Sequence, residues 1–291
     1  MSMLSQLNWA DLFTEVSKAA VVVAIVAYFG KLLLEQYLKR NIQAYENELK
    51  RKSAQEFKEL DARMTARMAL AERVRERREQ WFVPLLGAAR DLQERLANVL
   101  DKGAYSALSP SYVQQGDWSM NHRYFLASSM YLFGQYFCWA RIVENRLTLE
   151  VFGDEAARDE FLGLIRKVRA TLSTYPMEDL KDRFPAATLR AGGSGRDAQV
   201  FALQQRAMGE AMQVGGDDAP RSLTFLDFCR RWESGAKEEE SLRDVFAPLE
   251  TVVTEVRPDG PRWLRLTLMR EALGDLRREC ERIVGSRGEG P

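Results

Sequence analysis

Charged and amide side chains inside apolar helical segments are the residues of this chain best suited to chemistry. Arg141 and Glu144 follow an aromatic run, and Gln205, Arg206 and Glu210 lie within the segment FALQQRAMGEAM. Arg206 and Glu210 are four residues apart, which places them on one face of a helix. Because buried charges need partners, these residues predict a cross-helix polar network. Such a network binds a small polar ligand or fixes helix packing, and the pattern favours the structural role.

No catalytic motif accompanies this set of residues. His122 is the only histidine, so a metal site built on two histidines is excluded. Its position beside Asn121 predicts a capping or surface role. The segment AGGSGR at 191–196 lacks the Gly-Lys-Ser/Thr ending and the preceding strand of a phosphate loop, so it predicts a flexible connector. We therefore expect no enzyme, no cofactor and no metal ion, since a site would have to be built from carboxylates and arginines alone.

The three cysteines are Cys138, Cys229 and Cys280, and they are widely spaced. An odd number at this spacing gives neither a disulfide framework nor a Cys-x-x-Cys metal site. The usage agrees with a reducing cytoplasm and predicts buried or inert thiols.

The elements that position these residues begin with an apolar segment near the N terminus. Ala19–Gly30 carries no charge over twelve residues, and Phe13–Leu34 extends it to 22 residues. A bilayer core of about 30 Å needs roughly 20 helical residues. We predict a short tail at 1–11 and a single transmembrane helix at 12–34. A buried helix of a soluble domain and a cleaved signal peptide are the less favoured alternatives, because little apolar sequence precedes the segment and no basic residue begins it.

Basic residues near the span predict its orientation. Lys39, Arg40 and the run at 50–52 follow the span, whereas no Lys or Arg precedes residue 18. The positive-inside rule then places the N terminus outside and residues 35–291 in the cytoplasm of a bacterial inner membrane. The net charge of +4 over residues 39–80 suits weak attraction to membrane lipid headgroups more than specific binding of nucleic acid. The favoured alternative is that this charge-dense helix simply presents a solvated face.

Residues 35–83 contain no Gly or Pro and predict a long charged helix, which we call the stalk. A narrow apolar stripe runs along it, typical of a coiled-coil seam, although the heptad is interrupted at 52–53. A lone exposed helix is only marginally stable, so the stalk must pack on a second copy or on the C-terminal domain. The stripe consists of Leu38, Ile42, Tyr45, Leu49, Phe57, Leu60, Met64, Met68, Ala71 and Val74.

Ala20, Ala24 and Ala27 form a small-residue face inside the predicted span. This face is in phase with the apolar stripe of the stalk. Since small residues let membrane helices approach closely, we expect a parallel homo-oligomer that is continuous across the membrane surface. The alternative is that three alanines align by chance.

Residues 84–285 predict an irregular helical bundle, because helical spacing of apolar residues recurs and strand patterns are scarce. The segment 121–151 is aromatic on nearly all sides, which places it at the centre of the bundle rather than in the membrane. Pro84 marks a kink or the first turn of a new helix. Further helices are expected at 85–100, 154–174, 177–184, 198–214, 222–234, after residue 241, and at 263–284.

Asp154 and Ser222 are the expected N-caps of two bundle helices, and Ser241 is expected to start another helix. The tail at 286–291 is expected to be disordered. The fold prediction is therefore all-α, with one membrane helix, a coiled-coil-like stalk and a cytoplasmic bundle.

The absence of a catalytic residue set favours a membrane-anchored interaction or scaffold protein. We expect it to self-associate through anchor and stalk and to dock a cytoplasmic protein partner. The alternative is a membrane effector of a bacterial defence or toxicity system that perturbs the bilayer when triggered.

Overall fold

In the structure, a computed structural model, the described residues form helices and one short hairpin, which confirms the expected all-α class. It describes residues 9–109, 111–112, 122–152, 154–173, 199–216, 219–233, 241–254, 256–258 and 260–285. The expected helix at 177–184, the connector at 191–196 and the tail at 286–291 lie outside the described residues. The chain forms two compact units, residues 1–69 and residues 70–291.

Helix α1 extends from Trp9 to Asp101, 93 residues. It runs through Pro84, where the sequence predicted a kink or a new start. A proline removes the hydrogen bond to the carbonyl four residues earlier, here that of Gln80. Gln80 is exposed, so water can satisfy this carbonyl and the helix continues.

In the first unit, every side chain from Ala20 to Ala69 is exposed. Among the described residues, α1 is the one helix long and apolar enough to cross a membrane, and its apolar window near the N terminus is not buried. Length and composition alone do not distinguish such a helix from a signal sequence or the core helix of a soluble protein.

The second unit contains the end of α1, a short 3-10 helix and the remaining elements of the chain. Its α2 is the aromatic helix expected at the centre, and its buried positions cover most of its length. In order, the elements are the 3-10 helix Ala104–Leu108, α2 His122–Arg146, α3 Leu149–Phe152, α4 Glu155–Ser173, α5 Ala202–Met212, β1 Gln213–Val214, β2 Arg221–Ser222, α6 Phe225–Glu233, α7 Leu242–Thr254 and α8 Pro261–Gly285.

Helix α2 packs against α5, α6 and α7, while α4 packs along α8. Aromatic rings join these elements to the part of α1 in the second unit. The Phe82 ring lies 5.0 Å from that of Phe161 and 5.8 Å from that of Phe152, both edge-on. The Arg270 guanidinium on α8 contacts the Asp101 carboxylate at 2.6 Å.

Of the three expectations for helix starts, the cap at Asp154 and the helix start at Ser241 are confirmed. The Ala157 amide donates to the Asp154 carboxylate at 2.7 Å, and the Arg243 amide donates to the Ser241 hydroxyl at 3.2 Å. The third expectation was wrong, because Ser222 belongs to β2. The cap of α6 is Thr224 instead, whose hydroxyl accepts from the amide of Asp227 at 3.2 Å.

The helix expected at 198–214 is shorter than predicted. It begins at Ala202 and ends at Met212, and the next two residues pair with β2 as an antiparallel hairpin. Gly215 has φ of 88°, a left-handed conformation that turns the chain back and that glycine adopts without strain. The hairpin therefore replaces the last turn of the expected helix.

Candidate functional site

The candidate site lies where α5 crosses α2. At Gly209 a Cβ atom would lie 2.8 Å from the Phe137 carbonyl oxygen, so the two helix backbones are nearly in contact. Met212 and Phe246 fill the rest of this crossing and are fully buried. The close approach of the backbones brings polar side chains of α5 within reach of α2.

Arg141 of α2 contacts Glu210 of α5 and Gln213 of β1. Its Nη2 atom lies 2.6 Å from the Glu210 carboxylate, and its Nη1 atom donates to Gln213 Oε1 at 3.0 Å. Glu210 is exposed and Arg141 is partly exposed, so solvent weakens this ion pair. The Glu210 carboxylate thus bonds across helices to Arg141.

Glu144 forms a second, better shielded ion pair. Arg169 Nη2 on α4 donates to its carboxylate at 2.5 Å, and the two side chains are 15% and 18% exposed. Low exposure strengthens such a charge-assisted bond and makes its loss costly. This pair joins α2 to α4.

Gln205 joins α5 to α4 through its amide. Its Nε2 atom donates to the Val200 carbonyl at 2.8 Å and to the Arg169 carbonyl at 3.0 Å. Both acceptors are carbonyl oxygens, so the amide orientation is fixed, because the reverse orientation would set oxygen against oxygen. Gln205 is buried.

The structure therefore gathers all five predicted residues around the α2, α4 and α5 contact. Arg169 and Tyr136 were missed by sequence reasoning. Arg169 carried a usable signal, since it lies four residues after the buried Ile165 and three before the buried Leu172, on the apolar side of α4. Tyr136 carried none, because an aromatic residue in an aromatic helix is expected to be core.

A small cavity of about 10 Å³ lies inside this network. Arg206 is exposed and lines its outer side, while Tyr136 is buried within it. Burial raises the pKa of the Tyr136 hydroxyl, so this group remains a neutral donor. The volume admits one water-sized molecule and no organic substrate. The full lining is Tyr136, Phe137, Ala140, Arg141, Ile165, Arg169, Gln205 and Arg206.

A larger open groove of about 330 Å³ lies beside the hairpin and α6. Arg221, Arg230 and Arg231 line it together with Asp227. Much of its charge is engaged internally, because Arg230 contacts the Asp227 carboxylate at 3.3 Å and the Thr224 hydroxyl donates to the same carboxylate at 2.7 Å. We assign no ligand to this groove.

The thiols and the histidine occupy structural positions. Burial raises the pKa of Cys138 and of Cys280 to about 12, and it also raises the pKa of the half-buried Cys229. His122 is the first residue of α2, and its Nδ1 atom lies 3.1 Å from the Ala107 carbonyl of the 3-10 helix. Within the described part of the chain, no three His, Cys, Asp or Glu side chains are grouped as metal ligands.

The predicted association face lies in the first unit. Ala20, Ala24 and Ala27 are exposed, as are the apolar residues of the stripe that follows. Eight large stripe side chains between Leu38 and Met68 are 50% to 72% exposed. This amount of contiguous apolar surface is unusual for a surface that remains in water.

Comparison with known proteins gives no relative. The chain matches no protein-family model, no curated protein and no solved structure.

Proposed function

We propose that the chain is a membrane-anchored interaction protein that self-associates through its N-terminal helix and docks a cytoplasmic protein partner with its helical bundle. The observation that carries this proposal is the exposed apolar surface along residues 20–69 of α1. No reaction is assigned to the protein, and no cofactor is required by the proposal.

Lipid is the proposed environment of residues 12–34. Ten large apolar side chains between Val21 and Leu34 are 38% to 67% exposed. Transfer of each from water to an apolar environment contributes about 1–2 kcal/mol, or roughly 10–20 kcal/mol for the segment. Lys31 lies at the end of the segment, where its ammonium can reach the headgroups.

The proposed topology places the bundle in the cytoplasm of a bacterial inner membrane, because the basic residues follow the span. Reporter fusions at the C terminus test this orientation. We expect a cytoplasmic reporter to be active there, and activity of a periplasmic reporter alone would reverse the topology.

The apolar stripe fits a nearly straight helix pair better than a left-handed coiled coil. When the line is extended through the alanine face, Lys31 and Leu34, and across Ser53, it takes fourteen steps over 51 residues from Ala20 to Ala71. The average is near the 3.6 residues per turn of an unstrained helix. A heptad would average 3.5, whereas an 11-residue repeat averages 3.67. At this spacing the polar Ser53 lies on the same face as the apolar residues, whereas a heptad repeat is interrupted at 52–53.

A second copy of this chain is the proposed occupant of the stripe. If the burial of each of the eight large side chains contributes about 1 kcal/mol, pairing of two copies gains on the order of 16 kcal/mol. That gain is of the size needed to offset the roughly 4–15 kcal/mol cost of association. Copies anchored by the same span share one orientation, so the pair is parallel.

Cysteine crosslinking in membranes tests the pairing, with the three native cysteines replaced. Ala24→Cys and Ile42→Cys lie on the proposed face, and Val22→Cys and Asn47→Cys lie on the opposite side of the helix. We expect crosslinked dimer at the first two positions and much less at the two controls. No dimer at either Ala24 or Ile42 would contradict the proposal.

A bilayer-perturbing effector is the second candidate function, favoured by the small-residue face inside a span that is short and flanked by charges. Induced expression distinguishes the two roles. Growth arrest with membrane depolarisation, relieved by Ala24→Leu, indicates the effector. Normal growth together with capture of a stoichiometric cytoplasmic partner from detergent-solubilised membranes indicates the interaction protein.

A further inference from the structure

Two of the residues that line the cavity between α2, α4 and α5 each have a buried polar atom without a hydrogen-bonding partner in the described structure. They are Tyr136 Oη and Gln205 Oε1. Each residue is 1% exposed, so bulk water does not reach them. Leaving a buried polar group unsatisfied costs about 1–3 kcal/mol, which makes two such atoms around one cavity unusual.

The hydrogen-bonding roles of the two atoms are complementary to one water molecule. Gln205 Oε1 is an acceptor, because its Nε2 atom already donates to two carbonyls. Tyr136 keeps its proton and is a donor. A water molecule can accept from the tyrosine and donate to the amide oxygen. Arg169 lines the same cavity, and its guanidinium has further N–H donors that can supply a third contact.

We propose that this cavity binds a single ordered water molecule that bridges Tyr136 of α2, Gln205 of α5 and Arg169 of α4. The cavity volume of about 10 Å³ accommodates one water and excludes larger ligands. The network is then a hydrated structural joint of three helices. The sequence left open whether this network binds a small polar ligand, and on this proposal it binds water instead.

The proposed water predicts how removal of the Tyr136 hydroxyl changes the stability of the protein. If Tyr136 Oη had no partner, Tyr136→Phe would relieve an unsatisfied group and leave the protein as stable or more stable. If the hydroxyl binds water, the substitution removes a hydrogen bond and strands the water. Tyr131→Phe is a matched control on the same helix, because the Tyr131 hydroxyl donates directly to the Leu223 carbonyl at 3.2 Å.

The test uses the full-length chain in mild detergent, unfolded with urea and followed by tryptophan fluorescence. We expect Tyr136→Phe to raise the unfolding equilibrium constant about fivefold, comparable to Tyr131→Phe. In the double variant Tyr136→Phe with Gln205→Met, the unfolding equilibrium constant should rise by less than the product of the two separate increases, because one water binds both groups. Tyr136→Phe at or above wild-type stability, or fully independent effects, would overturn the proposal.

A high-resolution structure of the unmodified protein gives a test independent of variant folding. We expect a water peak within about 3.2 Å of both Tyr136 Oη and Gln205 Oε1. An empty cavity at a resolution where other buried waters are visible would overturn the assignment.

Discussion

Gly209→Ala should destabilise the second unit by preventing the close approach of α5 to α2. The added methyl would lie 2.8 Å from the Phe137 carbonyl oxygen and 2.9 Å from its carbon. These are backbone atoms, so no flexible side chain can move aside. Overpacking of this kind costs about 1–3 kcal/mol. Because alanine favours a helix interior over glycine by about 1 kcal/mol, the net loss is about 0–2 kcal/mol.

Gly163→Ala isolates the steric cost from the helix propensity. Gly163 lies within α4, and no neighbouring atom lies within 4 Å of its would-be Cβ. This variant should be stabilised by up to about 1 kcal/mol. The propensity contribution is common to both variants, so the difference between them, about 1–3 kcal/mol, measures the steric term alone.

The assay is equilibrium urea unfolding of both variants as full-length protein in the same detergent. Thermal unfolding gives a second readout, because for the second unit of about 220 residues 1 kcal/mol corresponds to a shift in melting temperature of about 2–4 °C. Equal stabilisation by both substitutions would refute the close crossing of α2 and α5, and with it the geometry that brings Glu210 to Arg141.

Other perturbations test individual contacts. Arg169→Met should cost about 2–3 kcal/mol in urea unfolding because it strands a shielded carboxylate, whereas Arg141→Met should cost less than about 1 kcal/mol; similar values would contradict the difference in burial. Thr224→Ala should cost about 1 kcal/mol by removing the cap of α6, and an unchanged midpoint would reassign that cap. In the native protein at pH 8, an alkylating reagent should label Cys229 well before Cys138. The pKa of Cys138 is about 12, so its thiolate fraction is roughly a thousandth of that of an ordinary cysteine. Labelling of Cys138 first, followed by mass spectrometry, would contradict its burial.

Helical periodicity and capping chemistry made much of the bundle predictable. Asp154 and Ser241 each precede an apolar stripe and do cap helices, because their oxygens meet amides that lack partners in the first turn. Ser222 has the same local character, yet it pairs with Gln213 in a hairpin. Two-residue strands are too short for an alternating pattern, so tertiary contacts rather than local sequence decide this segment.

Only part of the polar network was predictable from the sequence, because Arg169 and Tyr136 were missed and the pairing of its residues was not foreseen. Charges among apolar residues indicated that Arg141 and Glu144 would need partners. Which residues meet depends on the crossing of α2 with α5 and of α4 with both, and helix spacing within one segment contains no information on it. Thus the sequence did not identify Arg141 as the residue that Glu210 contacts.

The central claim is that lipid shelters the apolar N-terminal segment, and alkaline carbonate extraction of membranes from cells that express the full-length chain tests it most directly. The proposed span predicts that the protein stays in the membrane pellet through carbonate and high salt and is released by detergent alone. A full-length chain recovered in the soluble fraction as a monomer, without detergent, would contradict the claim.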